Sequence, residues 1–300
     1  MKFSIGLETE RVDRPGEFLT GESVAEIAQA VERLGLDAVF VTDHPAPDDR
    51  WLAGGGHHAL EPTVALAFAA AATSRIHLHT HIMVLAYRSP FLAAKALASL
   101  DLLSGGRLIC GVAPGYLRPE FSSLGVDFDR RNELTDESIA MIRQLWAGQS
   151  VAGAGPRWKA KGVTQLPALA TAPPIWIGGN TGRAMRRAAE LGDGWSPFPT
   201  APGLASSAKT SDLSNIGQLA ERIDRVRDLR ASAGRDGDFD VCCGAFHSGG
   251  HGAGALVDEL NQMTEIGVTW NTTMIGGSSR AEMLEQLEQF ATEVASQVGS

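Results

Sequence analysis

Short runs rich in β-branched and aromatic residues alternate along this chain with longer stretches in which apolar residues return every three or four positions. The short runs are FSIGL (3–7), DAVFVT (37–42), IHLHTHIM (76–83), RLICGV (107–112), PIWIG (174–178), GDGWS (192–196), FDVCCGAF (239–246) and VTWNTTMI (268–275). Each has the length and make-up of one buried strand. Among the longer stretches, Val24, Ile27, Ala28, Val31 and Leu34 line one face of a helix, as do Leu219, Ile223 and Val226. Leu256, Leu260 and Met263, and then Met283, Leu284, Leu287, Ala291 and Val294, repeat the pattern. Ser89–Pro90 reads as a cap with a first-turn proline, and Ser279 with Glu282 as a capping box.

A parallel strand needs a crossover helix to reach its neighbour, and eight such units can close without a free edge. The pattern therefore predicts a single α/β domain over residues 1–300, a (β/α)8 TIM barrel, with an open doubly wound sheet as the competing arrangement. Gly-, Pro- and Ala-rich insertions fall at 44–60, 113–131, 148–173 and 197–216. The first, second and fourth follow strands, which hangs them over the carboxyl end of the barrel, where such folds keep their chemistry.

Composition narrows the function classes. Hydrophobic content of 44% and charged content of 20% support a substantial core. A net charge of -9 without a Lys/Arg run argues against nucleic acid and against a membrane surface as partner. The longest apolar run, VALAFAAAA at 64–72, is too short to span a bilayer, and the apolar stretch at the amino terminus is too short for a signal peptide. The expectation is a cytoplasmic protein acting on a small molecule. Cys110, Cys242 and Cys243 have no metal spacing and lie in apolar runs, so they read as reduced, buried and inert.

Four stretches carry candidate chemistry. Asp43–His44 ends the second strand before a proline, placed either for proton transfer at the barrel mouth or as a capped loop start. His77, His79 and His81 alternate onto one strand face about 6.5–7 Å apart. A neighbouring pair could share a zinc ion, but no acidic ligand motif accompanies it, and a polar layer lining the barrel is the competing reading. His57–His58, His247 and His251 sit in glycine-rich loops as solvated or lid residues. Ala113–Pro114–Gly115 leaves the fourth strand with exposed backbone, against which a flat ligand can press. GGNTGRAM is neither a P-loop nor a G-x-G-x-x-G fingerprint. It is either a tight turn or a phosphate cradle made by the Gly178 and Gly179 amides, with Asn180 as helix cap and Arg183 nearby.

Taken together, DAVFVTDHP, LAYRSPFLAAKALASLDLLSGGRLICGVAPGY and PIWIGGNTGRAMRRAAELGDGW resemble the luciferase-like flavin-dependent oxidoreductases, most closely the actinobacterial branch that uses the deazaflavin coenzyme F420. These pieces run in order through residues 1–196; the carboxyl third is similar in pattern only. The resemblance implies that Asp43–His44 lies against the redox ring, with His44 as proton-transfer group and Asp43 orienting it. It implies a non-prolyl cis peptide at His81–Ile82 behind the ring, a cofactor-lining edge at Ala113–Pro114–Gly115, and a phosphate turn at Gly178–Gly179–Asn180. His79 and His81 stand where relatives usually carry small residues. Pro114 removes one amide donor, and Tyr116 replaces the catalytic glutamate of the family's sugar-phosphate dehydrogenases, which makes Tyr116 a substrate hydrogen-bonding candidate. The expected activity is hydride transfer between F420 and a small organic substrate, in a chain that pairs as a homodimer as members of the family often do. An FMN-dependent monooxygenase is the nearest alternative; a metal-dependent hydrolase on the His79/His81 pair and a non-catalytic ligand carrier come from other classes.

Overall fold

The computed structural model describes residues 1–201, 205, 209–246 and 252–299. Its main sheet holds eight parallel strands in the order β10-β1-β2-β3-β4-β7-β8-β9: β1 (Lys2–Gly6), β2 (Ala38–Val41), β3 (His77–Val84), β4 (Leu108–Ala113), β7 (Ile175–Gly178), β8 (Gly194–Ser196), β9 (Asp240–Val241) and β10 (Trp270–Thr273). A bridge between Cys242 and Trp270 joins the two ends of that order. Thr269 N–H donates to the Val241 carbonyl at 2.9 Å and Cys243 N–H to the Trp270 carbonyl at 3.0 Å across the same seam. The sheet is thus a barrel rather than an open doubly wound sheet, and the β9/β10 seam is its thinnest join. All eight strands fall within the predicted runs or one residue beyond them, although the 239–246 run forms only the two residues of β9 plus the bridge at Cys242.

The helical faces pack as their periodicity demands. Val24, Ile27, Ala28 and Val31 are buried on helix Gly21–Arg33, which opens with a reciprocal Thr20/Ser23 capping box. Leu219, Ile223 and Val226 are buried on helix Ile216–Ser232. At helix Arg280–Glu293 only half of the expected box forms: Ser279 accepts from the Glu282 amide, while the Glu282 carboxylate turns back to Ser278. Ser89 precedes helix Pro90–Ser104 without a side-chain cap bond. The 148–173 insertion contains an antiparallel hairpin that the pattern did not predict, β5 (Val151–Gly155) with β6 (Trp158–Val163). It docks through Trp158 Nε1 on Glu137 at 3.0 Å and Arg157 on the Ala86 carbonyl at 2.7 Å. Its small, mixed residues leave mostly exposed faces and so give almost no two-residue apolar period.

Inside the barrel the histidines of β3 form a layer with two tryptophans. His79 is fully buried, 4.9 Å from Trp176 and 5.0 Å from His81 between ring centres. His77 packs edge-on against Trp270 at 5.7 Å. The layer is only partly hydrogen-bonded: His77 Nδ1 reaches the Arg107 carbonyl and His79 Nδ1 the Ser4 hydroxyl, whereas His79 Nε2 and His81 Nδ1 have no partner. Burial holds all three imidazoles below the ordinary histidine range, His81 at about 4. A histidine whose folded pKa is depressed withholds a proton that the unfolded chain takes up, so its contribution to stability is lost as pH falls from the unfolded value of 6.5 toward 4. For His81 this amounts to about 2 kcal/mol between pH 7 and 4.5. Thermal unfolding at the two pH values is expected to show a smaller loss for His81→Leu than for the native protein; equal losses would dismiss the imidazole as the cause.

Candidate active site

A cavity of about 570 Å³ opens at the carboxyl ends of β2, β3, β4 and β7. Asp43, His44, His81, Ile82, Ala113, Pro114, Gly115, Tyr116, Gly178 and Gly179 all line it, so the candidates separated by up to 136 positions in sequence meet in one place. Asn180 does not. The peptide between His81 and Ile82 is cis, as the resemblance implies, and the β3/β4 register shifts between Thr80 and Met83.

The first correction concerns His44. Asp43 does not orient it: its carboxylate, 4% exposed as a residue, takes a forked pair from Arg88 at 2.5 and 3.0 Å and the Val84 amide at 2.8 Å. The partner of His44 is Glu120, a residue absent from the sequence-derived candidates. His44 Nδ1 lies 3.2 Å from Glu120 Oε2, the Tyr87 hydroxyl donates to the same oxygen at 2.7 Å, and the Ala46 amide donates to Oε1 at 3.1 Å. Glu120 is fully buried on helix Arg118–Ser123. Burial pushes its carboxyl up, but the hydrogen bonds from His44, Tyr87 and the Ala46 amide outweigh it and hold the group below the usual glutamate range. A carboxylate facing Nδ1 fixes the proton on that nitrogen and leaves Nε2 as the acceptor. Trp51, His57 and Tyr116 surround the imidazole at ring-centre distances of 4.4, 4.9 and 5.9 Å. Burial, and then the nearby Glu120 charge, push the Tyr116 hydroxyl up to about 12, so it stays protonated and can donate.

The second correction concerns the glycine turn. Gly179, at φ 111°, gives its N–H to the Ser196 carbonyl at 3.1 Å, and the Asn180 N–H goes to the Thr210 hydroxyl at 3.0 Å. Neither amide is free for a ligand. Asn180 is not the cap either: its side chain bonds the Phe198 amide and the carbonyls of Phe198 and Ser211, pinning the following segment, while Thr181 caps helix Gly182–Leu191. Gly178 serves a close approach, since a Cβ there would stand 2.2 Å from Ile82 Cδ1. The same wall carries the opening turn of helix Gly182–Leu191, whose Ala184 amide is taken by the Thr181 hydroxyl, together with the cationic side chains of Arg131, Arg183, Arg187 and Lys209. Of these, Arg183 and Arg187 share Asp136.

The remaining candidates sort plainly. Among the described residues no group of three or more His, Cys, Asp or Glu is placed to hold a metal ion, so the His79/His81 pair gains no further ligand. His57 lines the cavity, and its ring nitrogen lies 3.4 Å from Glu10. His247 and His251 lie outside the described residues, as does part of the 197–216 insertion. Cys110, Cys242 and Cys243 are free, buried thiols, and burial pushes all three well above the ordinary thiol range, so none is a ready nucleophile. No described helix is long and apolar enough to cross a membrane.

Comparison with known proteins places this geometry. The family model for luciferase-like monooxygenases matches residues 1–297. The F420-dependent hydroxymycolic acid dehydrogenase of Mycobacterium tuberculosis is 29% identical over 229 residues, 72% of this chain and 62% of that protein. The F420-dependent glucose-6-phosphate dehydrogenase of Nakamurella multipartita is 30% identical over 225 residues, 71% of this chain and 64% of that protein. The match thus spans just under two thirds of the length of either relative. Among solved structures, the monooxygenase RslO1 from Streptomyces bottropensis superposes with a TM-score of 0.77 over 99% of both chains at 20% identity, a likeness of fold. The chain belongs to the luciferase-like monooxygenase family.

Proposed function

We propose that this protein is an oxidoreductase that moves a hydride between coenzyme F420 and a small, uncharged organic substrate, with His44 as the proton acceptor. The observation that carries the proposal is the division of the cavity into two ends. One end presents an imidazole backed by a buried carboxylate; the other presents the opening turn of a helix and four cationic side chains. That cationic wall suits a phosphate-bearing cofactor, and the flat edge of Ala113–Pro114–Gly115 with the unpartnered Nδ1 of His81 suits a planar ring, so the residues fit the group the family implies. F420, when bound, supplies the hydride donor or acceptor.

The chain's own residues supply the rest. Nε2 of His44 takes the proton of a substrate hydroxyl as the carbonyl forms, and returns it in the reverse direction. Glu120 balances the imidazolium and keeps its orientation, and Tyr87 and the Ala46 amide keep Glu120 ionised. Tyr116 donates to the substrate oxygen. The rings around His44 are aromatic, which favours a neutral alcohol or carbonyl compound over a sugar phosphate at that end of the cavity.

Titration of the purified protein with F420 and with FMN, followed by absorbance and fluorescence, tests the cofactor. F420 is expected to bind at least tenfold more tightly, and Arg183→Ala with Lys209→Ala to weaken it about tenfold in a salt-dependent way. Tighter FMN binding would move the protein to the monooxygenase reading.

A further inference from the structure

A second cavity, of about 740 Å³, opens at the opposite, amino-terminal end of the barrel. It lies between helix Ile216–Ser232, the loop 234–239 and the start of the β9/β10 seam. Of its large apolar lining residues only Phe239 is partly exposed; Ile223, Val226 and Val241 are almost fully buried behind it. Into the cavity faces Arg230, a guanidinium on a residue only 6% exposed. Buried arginines are ordinarily matched by carboxylates, because an uncompensated buried charge is costly. Arg230 has no ion pair among the described residues. Its one hydrogen bond is a long one, 3.4 Å from Nη1 to the Gly192 carbonyl, and its guanidinium carbon stands 4.2 Å over the Phe239 ring.

The nearby carboxylates are engaged or exposed. Asp193 is taken on one oxygen by Arg143 at 2.7 Å and the Ile175 amide at 3.0 Å, and on the other by Arg235 at 3.3 Å. Asp224 is paired with Arg227 at 3.0 Å. Asp236 and Asp238 stand exposed on the rim, where water screens them. The cavity therefore combines the partly exposed Phe239 with a planar cation whose free nitrogens open on the cavity, and a carboxylate is the group that matches a guanidinium fork.

We propose that this cavity is a binding site, separate from the active site, for a small organic carboxylate whose apolar body packs against Phe239 while its anionic head pairs with Arg230. Such a ligand would bridge helix Ile216–Ser232 to β9, beside the thinnest join of the barrel, so binding reads out as stability.

The test uses benzoate as probe, benzyl alcohol as its uncharged isostere and inorganic phosphate as a bare anion, at matched ionic strength, with thermal unfolding and calorimetric titration on the full chain. Benzoate is expected to raise the Tm by a few degrees in a saturable way, with no such effect from benzyl alcohol or phosphate. Arg230→Met should weaken benzoate at least tenfold and leave F420 affinity unchanged. Ala231→Trp, at an exposed position on the cavity wall, should block benzoate without touching the guanidinium, which keeps the test sound if Arg230→Met folds poorly. An undiminished benzoate response in Ala231→Trp, an equal response to phosphate, or no response to benzoate would each overturn the site. None of these outcomes depends on the active-site reading, which the F420 titration judges by itself.

Discussion

His44→Ala is expected to lower turnover by roughly two to four orders of magnitude while changing F420 affinity less than threefold, the range that a positioned acid–base group contributes. After loss of the imidazole the buried Glu120 carboxylate keeps the Tyr87 hydroxyl and the Ala46 amide, and the ring itself packs against the side chains of Trp51, His57 and Tyr116. Glu120→Gln should cost less, about a hundredfold, because an amide can still hold Nδ1 but cannot balance the imidazolium. Absorbance of the bound deazaflavin, followed while a panel of secondary alcohols is added to native and variant proteins, gives both numbers. A His44→Ala variant that keeps native turnover and native affinity would reduce the barrel to a carrier of its ligand.

AVFV, LICGVA and IWIG were legible because those strands are buried and read as short apolar runs between helical periods, whereas HLHTHIMV and WNTT carry polar residues and stood out through their aromatic and β-branched members. The hairpin β5/β6 was not, because a two-stranded flap with exposed glycine and lysine positions needs no apolar alternation. At the site, strand ends announced themselves: Ala113 and Gly178 close their strands, Asp43 and His44 come two and three residues after β2, and all four meet at one rim. Glu120 gave a weaker signal, an acidic residue two positions after Arg118 in YLRPEF, and its role emerges only when the 113–131 insertion folds back over β2. The neighbouring Asp43 was the nearer candidate in sequence, yet strand geometry turns adjacent side chains to opposite sides, so a residue beside His44 is poorly placed to hold its ring. The glycine turn failed for a different reason: local sequence shows which amides exist, not which are already consumed by Ser196 and Thr210.

Asp43 instead carries a structural load, and its removal should be the most destabilising of the active-site substitutions. In Asp43→Ala the Arg88 guanidinium loses a forked partner and the Val84 amide its acceptor, at the point where β3 resumes its register with β4 after the irregularity at Thr80 and Met83. Breaking a fully buried pair costs about 3–5 kcal/mol. Arg88 keeps Glu61 at 3.2 Å, which places this case near the lower end, about 3 kcal/mol. For a chain of this size that corresponds to a Tm lower by roughly 5 °C. Asp43→Asn, which retains an acceptor for Val84, should lose about half as much. The decisive comparison is the double variant Asp43→Ala with Arg88→Leu: removing the orphaned cation along with its partner should restore part of the loss, since an apolar pair of similar volume avoids the uncompensated charge. If the double variant is instead less stable by the full sum of the two single changes, packing rather than charge pairing is what Asp43 contributes, and the rim beneath His44 is held by shape alone.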